Sequence, residues 1–328
     1  MTSSHLNTFG CMPINARTAV MAPVVFAFLL VAGLLFSRPP AAAQASPPPE
    51  VKKVTNDLYF FFDFGGSNSV FLVTEEGVLV IDTRTHPRDG RDLLDRIRKV
   101  TDKPVKWVIN SHFHGDHYMG NSVFKELGAT FVAQEETTRI MQRVHPKEMA
   151  RRIDGFRSRG DDPAAVTLVL PDVTFDSKMT IKLGGREVRL FYLGPGQQAG
   201  DTFIQFPHAR VLFTPGAFAK HSMPNMLFTP SVDNWIKLLD QVALMDIDTI
   251  LPAHGDIATR ADVKELAAML ADEYATVKDA VSRGVTLEQA TKTLTLPQYK
   301  DWRNYGRLQG EIKALYELIQ TGKRSYLD

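Results

Sequence analysis

Cysteine is almost absent from this sequence of 328 residues, which contains only Cys11. That residue precedes an apolar run at residues 20–36, which has the character of a signal peptide. A chain processed after that run has no thiol and forms no disulfide. Any metal site in it must then use histidine, aspartate, glutamate or neutral ligands.

An excess of charge of one sign is also missing. The sequence has 38 lysines and arginines against 37 aspartates and glutamates, a formal net charge of +1. This balance gives no reason to expect nucleic acid or an anionic membrane surface as a partner, and it favours a small-molecule substrate. No internal repeat of the solenoid kind is evident, and the sequence predicts no oligomeric state.

The N-terminal region is typical of a secreted protein. Arg17 precedes the apolar run, and Ala43-Gln44-Ala45 follows it with the small-x-small pattern of a cleavage site. We therefore predict a signal peptide over residues 1–45, cleaved after Ala45, and a periplasmic or secreted protein with no membrane attachment after cleavage. A retained anchor is the alternative, because the run is near the lower length limit for a membrane span. Residues 46–53 are predicted to be a linker.

Strand and helix patterns alternate through the first half of the ordered chain, which indicates an α/β architecture. Strands are predicted at 69–74, 77–82, 105–110 and 130–133, and helices at 91–100 and 121–127. Further strands with hairpin spacing are predicted between 173 and 213, and a last one at 250–251. From residue 257 the pattern becomes helical, with Thr286 and Gln289 forming a capping box.

A basic segment at 137–159 has helical spacing and is predicted to present its arginines to solvent. These arginines are Arg139, Arg143, Arg151, Arg152, Arg157 and Arg159. His86 and His145 are likewise predicted on the surface, and His208 in a hairpin turn.

Three histidines and an aspartate crowd into the stretch His112-Phe113-His114-Gly115-Asp116-His117. Imidazole nitrogen and carboxylate oxygen are good zinc ligands. In an extended loop His112 and His114 point the same way, while Asp116 and His117 turn to the adjacent side. The loop is therefore suited to one metal ion or to two neighbouring ions.

This H-x-H-x-D-H motif after a short strand resembles the signature of the metallo-β-lactamase superfamily. Supporting motifs are Ile81-Asp82-Thr83, the turn from Gly194 to Asp201, and Pro252-Ala253-His254-Gly255. The resemblance covers residues 54–255. It implies a four-layer αββα sandwich over residues 54–256 with a metal site at one edge, followed by a C-terminal helical extension at 257–328.

The resemblance also implies the ligand sets. The first metal position would use His112 and His114, and the second metal position would use Asp116, His117 and His254. Two carboxylates, Asp82 and Asp201, match residues that support the ligands from behind.

Two departures from the family pattern concern the first metal position. Gln197 stands where the family has its third histidine, and an amide oxygen is a weaker donor to zinc than imidazole. Gln198 is an alternative ligand there. Phe213-Thr214-Pro215-Gly216 lacks the aspartate that bridges both metals in many relatives. His221 follows this segment and is predicted to approach the cleft as a replacement ligand or a substrate contact.

The resemblance implies a zinc-dependent hydrolase with one or two ions, of which the one at the second metal position is the better supported. A metal-activated water would attack an amide or ester carbonyl, with Asp116 as the catalytic residue that orients it. The lack of cysteine and of a bridging aspartate favours β-lactam-like amides. The alternatives are a lactone or thioester hydrolase of the same fold, or a catalytically degenerate metal-binding homologue.

Overall fold

Strands that are apolar and buried on both faces form the centre of the first sheet. In the computed structural model, which describes residues 47–323, this sheet has seven strands in sequential order. They are β1 (Glu50–Lys53), β2 (Leu58–Phe62), β3 (Ser69–Val73), β4 (Val78–Ile81), β5 (Val105–Ile109), β6 (Thr130–Gln134) and β7 (Val173–Phe175). Strands β1 to β4 pair antiparallel and β4 to β7 pair parallel.

The second sheet has five strands, in the order β12-β11-β10-β9-β8. They are β8 (Lys178–Leu183), β9 (Arg186–Tyr192), β10 (Thr202–Phe206), β11 (Val211–Ala219) and β12 (Thr249–His254). Gly184 and Gly185 both have positive φ, at 48° and 74°, as the two-residue turn between β8 and β9 requires. Only β11 and β12 pair parallel in this sheet.

Eight α-helices accompany the sheets within residues 47–323. They are α1 (Pro87–Arg98), α2 (Gly115–Tyr118), α3 (Asn121–Lys125), α4 (Glu135–Ser158), α5 (Val232–Leu244), α6 (Arg260–Ser282), α7 (Leu287–Thr293) and α8 (Leu308–Thr321). None of the helices in this part of the chain has the length and apolar character needed to cross a membrane.

The apolar core is divided by the sheets into layers. In β4, Leu79 and Ile81 pack between the two sheets, while Val78 and Val80 face Leu93 of α1 on the outer side. On the far side of the second sheet, one continuous cluster joins strand residues to α5, α6 and α8. The predicted αββα sandwich with C-terminal helices is confirmed.

Several sequence predictions need correction. The predicted linker contains β1, whose residues pair with β2. Helix α5 was not predicted, although Val232, Trp235 and Leu239 have helical spacing and Ser231 caps its start. The predicted signal peptide and its cleavage site lie outside the described residues.

Two histidines predicted on the surface are not exposed. His86 is 3% exposed because it caps α1, where its Nδ1 accepts from the Arg88 backbone N–H at 3.1 Å. His145 is half-buried, with its Nδ1 2.8 Å from the Tyr118 hydroxyl. His208 lies in the turn between β10 and β11, as predicted.

The C-terminal helices contain two buried acids that face each other. Glu273 of α6 is fully buried, and its carboxylate oxygens have no hydrogen-bond partner among residues 47–323. Burial, with the neighbouring Glu311 of α8 as the smaller cause, raises the pKa of Glu273 to about 8. Glu311 accepts a hydrogen bond from the Met226 backbone N–H, which ties α8 to the loop before α5.

Glu273→Gln should change how stability depends on pH. The folded chain keeps its proton on Glu273 at pH values where the unfolded chain, with a pKa near 4.5, has lost it. Stability therefore falls as pH rises from about 4.5 to about 8, by an amount on the order of a few kcal/mol. The glutamine is neutral throughout, so the Tm of the variant should exceed that of wild type at pH 8.5 and approach it near pH 5.

Thermal unfolding across this pH range, followed by circular dichroism, measures the effect. Glu317→Gln on the exposed side of α8 is the matched control and should leave the pH dependence unchanged. Parallel Tm curves for wild type and Glu273→Gln would contradict the prediction.

Candidate metal centre

The candidate ligands meet because strands of both sheets end at one edge of the sandwich. Asp82 follows β4, the segment 112–117 follows β5, and His254 is the last residue of β12. The carboxyl ends of parallel strands are the usual place for functional loops in α/β proteins. Five predicted ligands and one supporting carboxylate are therefore brought together by the topology.

Asp82 is the fixed point of this edge. It is fully buried and has a φ of 60°. This backbone turn places its carboxylate under residues 112–117, which we call the metal loop. It accepts from the backbone N–H and the hydroxyl of Ser111, both at 2.7 Å. Its Oδ2 also lies 2.8 Å from His117 Nδ1, so the Nε2 of that histidine faces the site.

The second metal position is a compact triangle of ligand atoms. His117 Nε2 and His254 Nε2 are 3.1 Å apart, and each lies 3.3 Å from Asp116 Oδ2. Ligands held at ~2.1 Å by one tetrahedral zinc ion lie roughly 3.4 Å from each other. His254 Nδ1 is 3.0 Å from the Gly66 carbonyl, which fixes its tautomer with Nε2 toward the triangle. The three residues fit a zinc ion.

The charges of this position support metal binding. Burial acts to raise the pKa of Asp116, but the charges of His117 and Arg152 hold this pKa well below its usual range. Burial also opposes ionisation of His117, but Asp116 and Asp82 raise its pKa to about 9. Binding of a metal ion by this triangle would require His117 Nε2 to be unprotonated.

Arg152 corrects the prediction that the arginines of α4 form a solvated face. Its side chain is only 18% exposed, and it donates to Asp116 Oδ1 at 2.5 Å and to Glu148 Oε2 at 2.6 Å. Glu148 is fully buried and accepts from the Gly115 backbone N–H at 2.9 Å. Periodicity alone did not reveal this, because Asp116, the partner of Arg152 from segment 112–117, lies 36 residues away along the chain.

The first metal position contains two imidazoles with free nitrogens. His112 Nδ1 is 2.9 Å from the Ser111 hydroxyl, whereas Nε2 of His112 and of His114 has no hydrogen-bond partner within residues 47–323. Burial lowers the pKa of His114 to about 3 and takes the pKa of His112 well below its usual range. Both rings are therefore neutral, the form that binds metal.

Gln197 does not complete this pair as a histidine would. In the amide orientation that suits its neighbours, its Nε2 donates to Gln198 Oε1 at 2.9 Å and to the Gly216 carbonyl at 3.1 Å. Its Oε1 accepts from the Asn225 backbone N–H at 3.2 Å. Because the amide is committed to protein partners, this geometry does not favour Gln197 as a metal ligand.

Gln198 and Asp201 form a second buried pair behind Gln197. Gln198 Nε2 donates to Asp201 Oδ1 at 2.7 Å. Burial raises the pKa of Asp201 to about 8, although its hydrogen bonds with Gln198 oppose the shift. Through these bonds Asp201 supports the turn that carries both glutamines.

Gly216 occupies the place of the missing bridging aspartate. A Cβ there would lie 2.9 Å from Gln198 Nε2 and 3.4 Å from His112 Nε2. The two glutamine side chains thus fill the space that a side chain at residue 216 needs, and the departures at residues 197 and 216 are structurally linked.

A cleft of about 440 Å³ opens over the second metal position. Its lining includes His114, Asp116 and His254, together with Phe228 from the loop before α5. Residues from the C-terminal region also line it, namely Arg303, Asn304 and Arg307. No motif in the sequence pointed to these three, because only the packing of the C-terminal segment brings them here.

His221 is not part of the cleft wall, contrary to the sequence prediction. Its side chain is 49% exposed, and its Nε2 lies 2.7 Å from Glu265 on α6. The neighbouring Ser222 and Met223 line the cleft instead. A turn of the backbone directs His221 outward, a feature that spacing along the sequence does not show.

The curated relatives that match this chain include two different enzymes. A linear primary-alkylsulfatase from a Pseudomonas species is 21% identical over 294 residues, covering 74% of this chain and 53% of that protein. A metallo-beta-lactamase type 2 from Elizabethkingia meningoseptica is 30% identical over 146 residues, covering 44% of this chain and 50% of that protein. The chain thus spans about half the length of these two relatives.

Solved structures share the fold. A metallo-beta-lactamase from Pontibacter korlensis matches with a TM-score of 0.54 and 19% identity, over 68% of this chain and 99% of that chain. A stereoselective inverting sec-alkylsulfatase from Pseudomonas sp. matches with a TM-score of 0.68 and 20% identity, over 82% of this chain and 50% of that chain. At these identities the likeness concerns the fold alone.

The family model of the metallo-beta-lactamase superfamily matches residues 62–254, which span the first sheet from the end of β2, the second sheet and every candidate ligand. Members of this superfamily are generally hydrolases. Since the match covers more than half of the chain and agrees with the αββα sandwich, the protein belongs to the metallo-β-lactamase superfamily.

Proposed function

We propose that the protein is a zinc-dependent hydrolase of a small molecule, with zinc held by Asp116, His117 and His254. The observation that carries this proposal is the triangle of ligand atoms, with sides of 3.1 to 3.3 Å at the base of an open cleft. A zinc ion bound there polarises a substrate oxygen and lowers the pKa of water to ~7.

The surrounding residues prepare this chemistry. Arg152 holds Asp116 Oδ1, so Oδ2 stays turned to the histidines and ionised at neutral pH. Asp82 and the Gly66 carbonyl hold the two histidines by their Nδ1 atoms. Asp116 is the proposed catalytic residue, because it lines the cleft beside the proposed zinc position and its carboxylate can accept a hydrogen bond from the attacking water.

We further propose that one zinc ion is sufficient. The first metal position has two neutral imidazoles but a glutamine whose amide is engaged elsewhere. Replacing one imidazole ligand by no ligand is expected to cost a few kcal/mol of zinc affinity, on the scale of ~10–16 kcal/mol for a complete site.

The first candidate substrate class is the β-lactam amide. The second metal position uses Asp116, His117 and His254 without cysteine or a bridging carboxylate, and one curated relative is a metallo-beta-lactamase. Lactones and thioesters are less favoured, because Gly216 leaves no carboxylate between the two positions.

Alkyl sulfate esters are the second candidate class. The sec-alkylsulfatase structure matches 82% of this chain. The residues before α6, which begins at Arg260, make up less than that share, so the match must include part of the C-terminal helices. The curated alkylsulfatase aligns with 74% of the chain.

We also propose that the protein is secreted through a signal peptide over residues 1–45. N-terminal sequencing of the exported protein tests this.

Parallel assays of the zinc-loaded protein distinguish the substrate classes. We expect turnover of a cephalosporin or of an alkyl sulfate well above that of a homoserine lactone or an acyl thioester. A zinc-loaded protein that turns over none of the four would support the degenerate homologue instead.

Substitution of the ligands tests the zinc site directly. Asp116→Ala, His117→Ala and His254→Ala should each reduce zinc from about one ion per chain to a trace and abolish hydrolysis, because each removes one of three ligands. Elemental analysis measures the zinc content. His208→Ala, in the turn after β10, is the control and should keep both properties. Zinc retained in all three ligand variants would refute the assignment.

Gln197→His tests the first metal position. Imidazole is a better zinc donor than an amide, and the free nitrogens of His112 and His114 are already buried there. Zinc content should rise from about one ion to about two ions per chain. Gln205→His, on β10 away from the cleft, is the control for adding a histidine. An unchanged zinc content in Gln197→His would show that the native glutamine serves packing alone.

A further inference from the structure

The cleft has a strongly cationic lining. Four arginines line it, whereas Asp116 is its one lining carboxylate within the described residues. Two of the four are already neutralised: Arg151 donates to Glu148 at 2.7 Å, and Arg152 bridges Glu148 and Asp116. The charge of the other two arginines is not balanced in this way.

Arg303 and Arg307 belong to the segment between α7 and α8, and in the described part of the chain neither has a carboxylate within ion-pair distance. The guanidinium of Arg303 lies 5.1 Å from the centre of the Phe64 ring and donates through Nη2 to the Phe64 carbonyl at 3.1 Å. These contacts orient the group and leave further N–H donors facing the cleft.

The backbone holds Arg303 firmly in place. Its N–H donates to the His221 carbonyl and its carbonyl accepts from the Met223 N–H, both at 2.9 Å. The neighbouring Asn304 donates to the Ser222 hydroxyl at 2.9 Å. The C-terminal segment is thereby attached to the loop that lines the cleft.

Arg303 also lies beside the second metal position. A Cβ on Gly255, the residue after His254, would be 3.8 Å from Arg303 Nη1. On the other side, Phe64 is two residues from Gly66, whose carbonyl is bonded to His254. The guanidinium therefore hydrogen-bonds to the segment that holds His254 from one side and lies near Gly255 on the other.

We propose that Arg303 and Arg307 form an anion subsite that binds a carboxylate or sulfate group of the substrate. Guanidinium donors match the oxygens of both groups, and the contacts of Arg303 with Phe64 orient one guanidinium for bidentate binding. The inference rests on the proposed function for its catalytic meaning, and it makes the C-terminal segment a determinant of substrate specificity. Uncharged substrates would gain nothing from this subsite.

Isothermal titration calorimetry tests the subsite without turnover. Hexanesulfonate and hexanoate, representing the sulfate and carboxylate sources, are titrated into the full chain with and without zinc. Arg303→Gln and Arg307→Gln should each weaken binding of the preferred anion by about ten-fold, the effect of losing one charged hydrogen-bonding partner. Arg303→Lys should fall between wild type and Arg303→Gln, because charge remains without the planar fork.

Arg283→Gln is the matched control, since Arg283 is an exposed arginine paired with Asp279 at the end of α6. It should bind both anions as wild type does, and circular dichroism verifies that all variants are folded. Wild type that binds neither anion at about 10 mM, or variants whose Kd equals that of wild type, would overturn the inference. Arginine-dependent binding without hydrolysis of any substrate would refute the proposed function alone.

Discussion

The carboxylate of Asp82 connects the fold to the metal centre. It lies at the end of β4 in fully buried surroundings, where a polar group is costly unless it is hydrogen-bonded. Ser111 supplies two donors and His117 a third. These bonds fix the start of the metal loop and the direction of His117, and through the Ser111 hydroxyl they also fix His112. One side chain, which is a proposed ligand of neither metal position, therefore orients candidate ligands of both positions.

The sequence predicted the part of the site that is local. The segment 112–117 carries most ligands within six residues, and its position after a strand places them at a sheet edge. His254 was predictable only through the Pro-Ala-His-Gly motif, because it lies 137 residues from His117. The α/β class followed in the same way from strand and helix patterns that are each local.

Features that depend on tertiary partners were missed or misassigned. Arg152 shares its helix with exposed arginines. Its i,i+4 neighbour Glu148 is visible in the sequence, but nothing in the local pattern shows that Asp116 also pairs with Arg152. Arg303 reaches the cleft only because its segment pairs with the loop after β11. His221 is the opposite case. It is adjacent in sequence to residues that line the cleft, but its side chain contacts Glu265 on α6 instead.

The C-terminal helices are part of the metal centre rather than an appendage. Glu311 of α8 accepts from the Met226 N–H, and the preceding Asn225 N–H donates to Gln197 Oε1. Gln197 in turn bonds Gln198 and the Gly216 carbonyl. Hydrogen bonds on two adjacent residues, Asn225 and Met226, thus connect the last helix to Gln197 beside the first metal position. Gln197 thus accepts from Asn225 at the place where the resemblance predicts a histidine, and it connects the C-terminal extension to the candidate site.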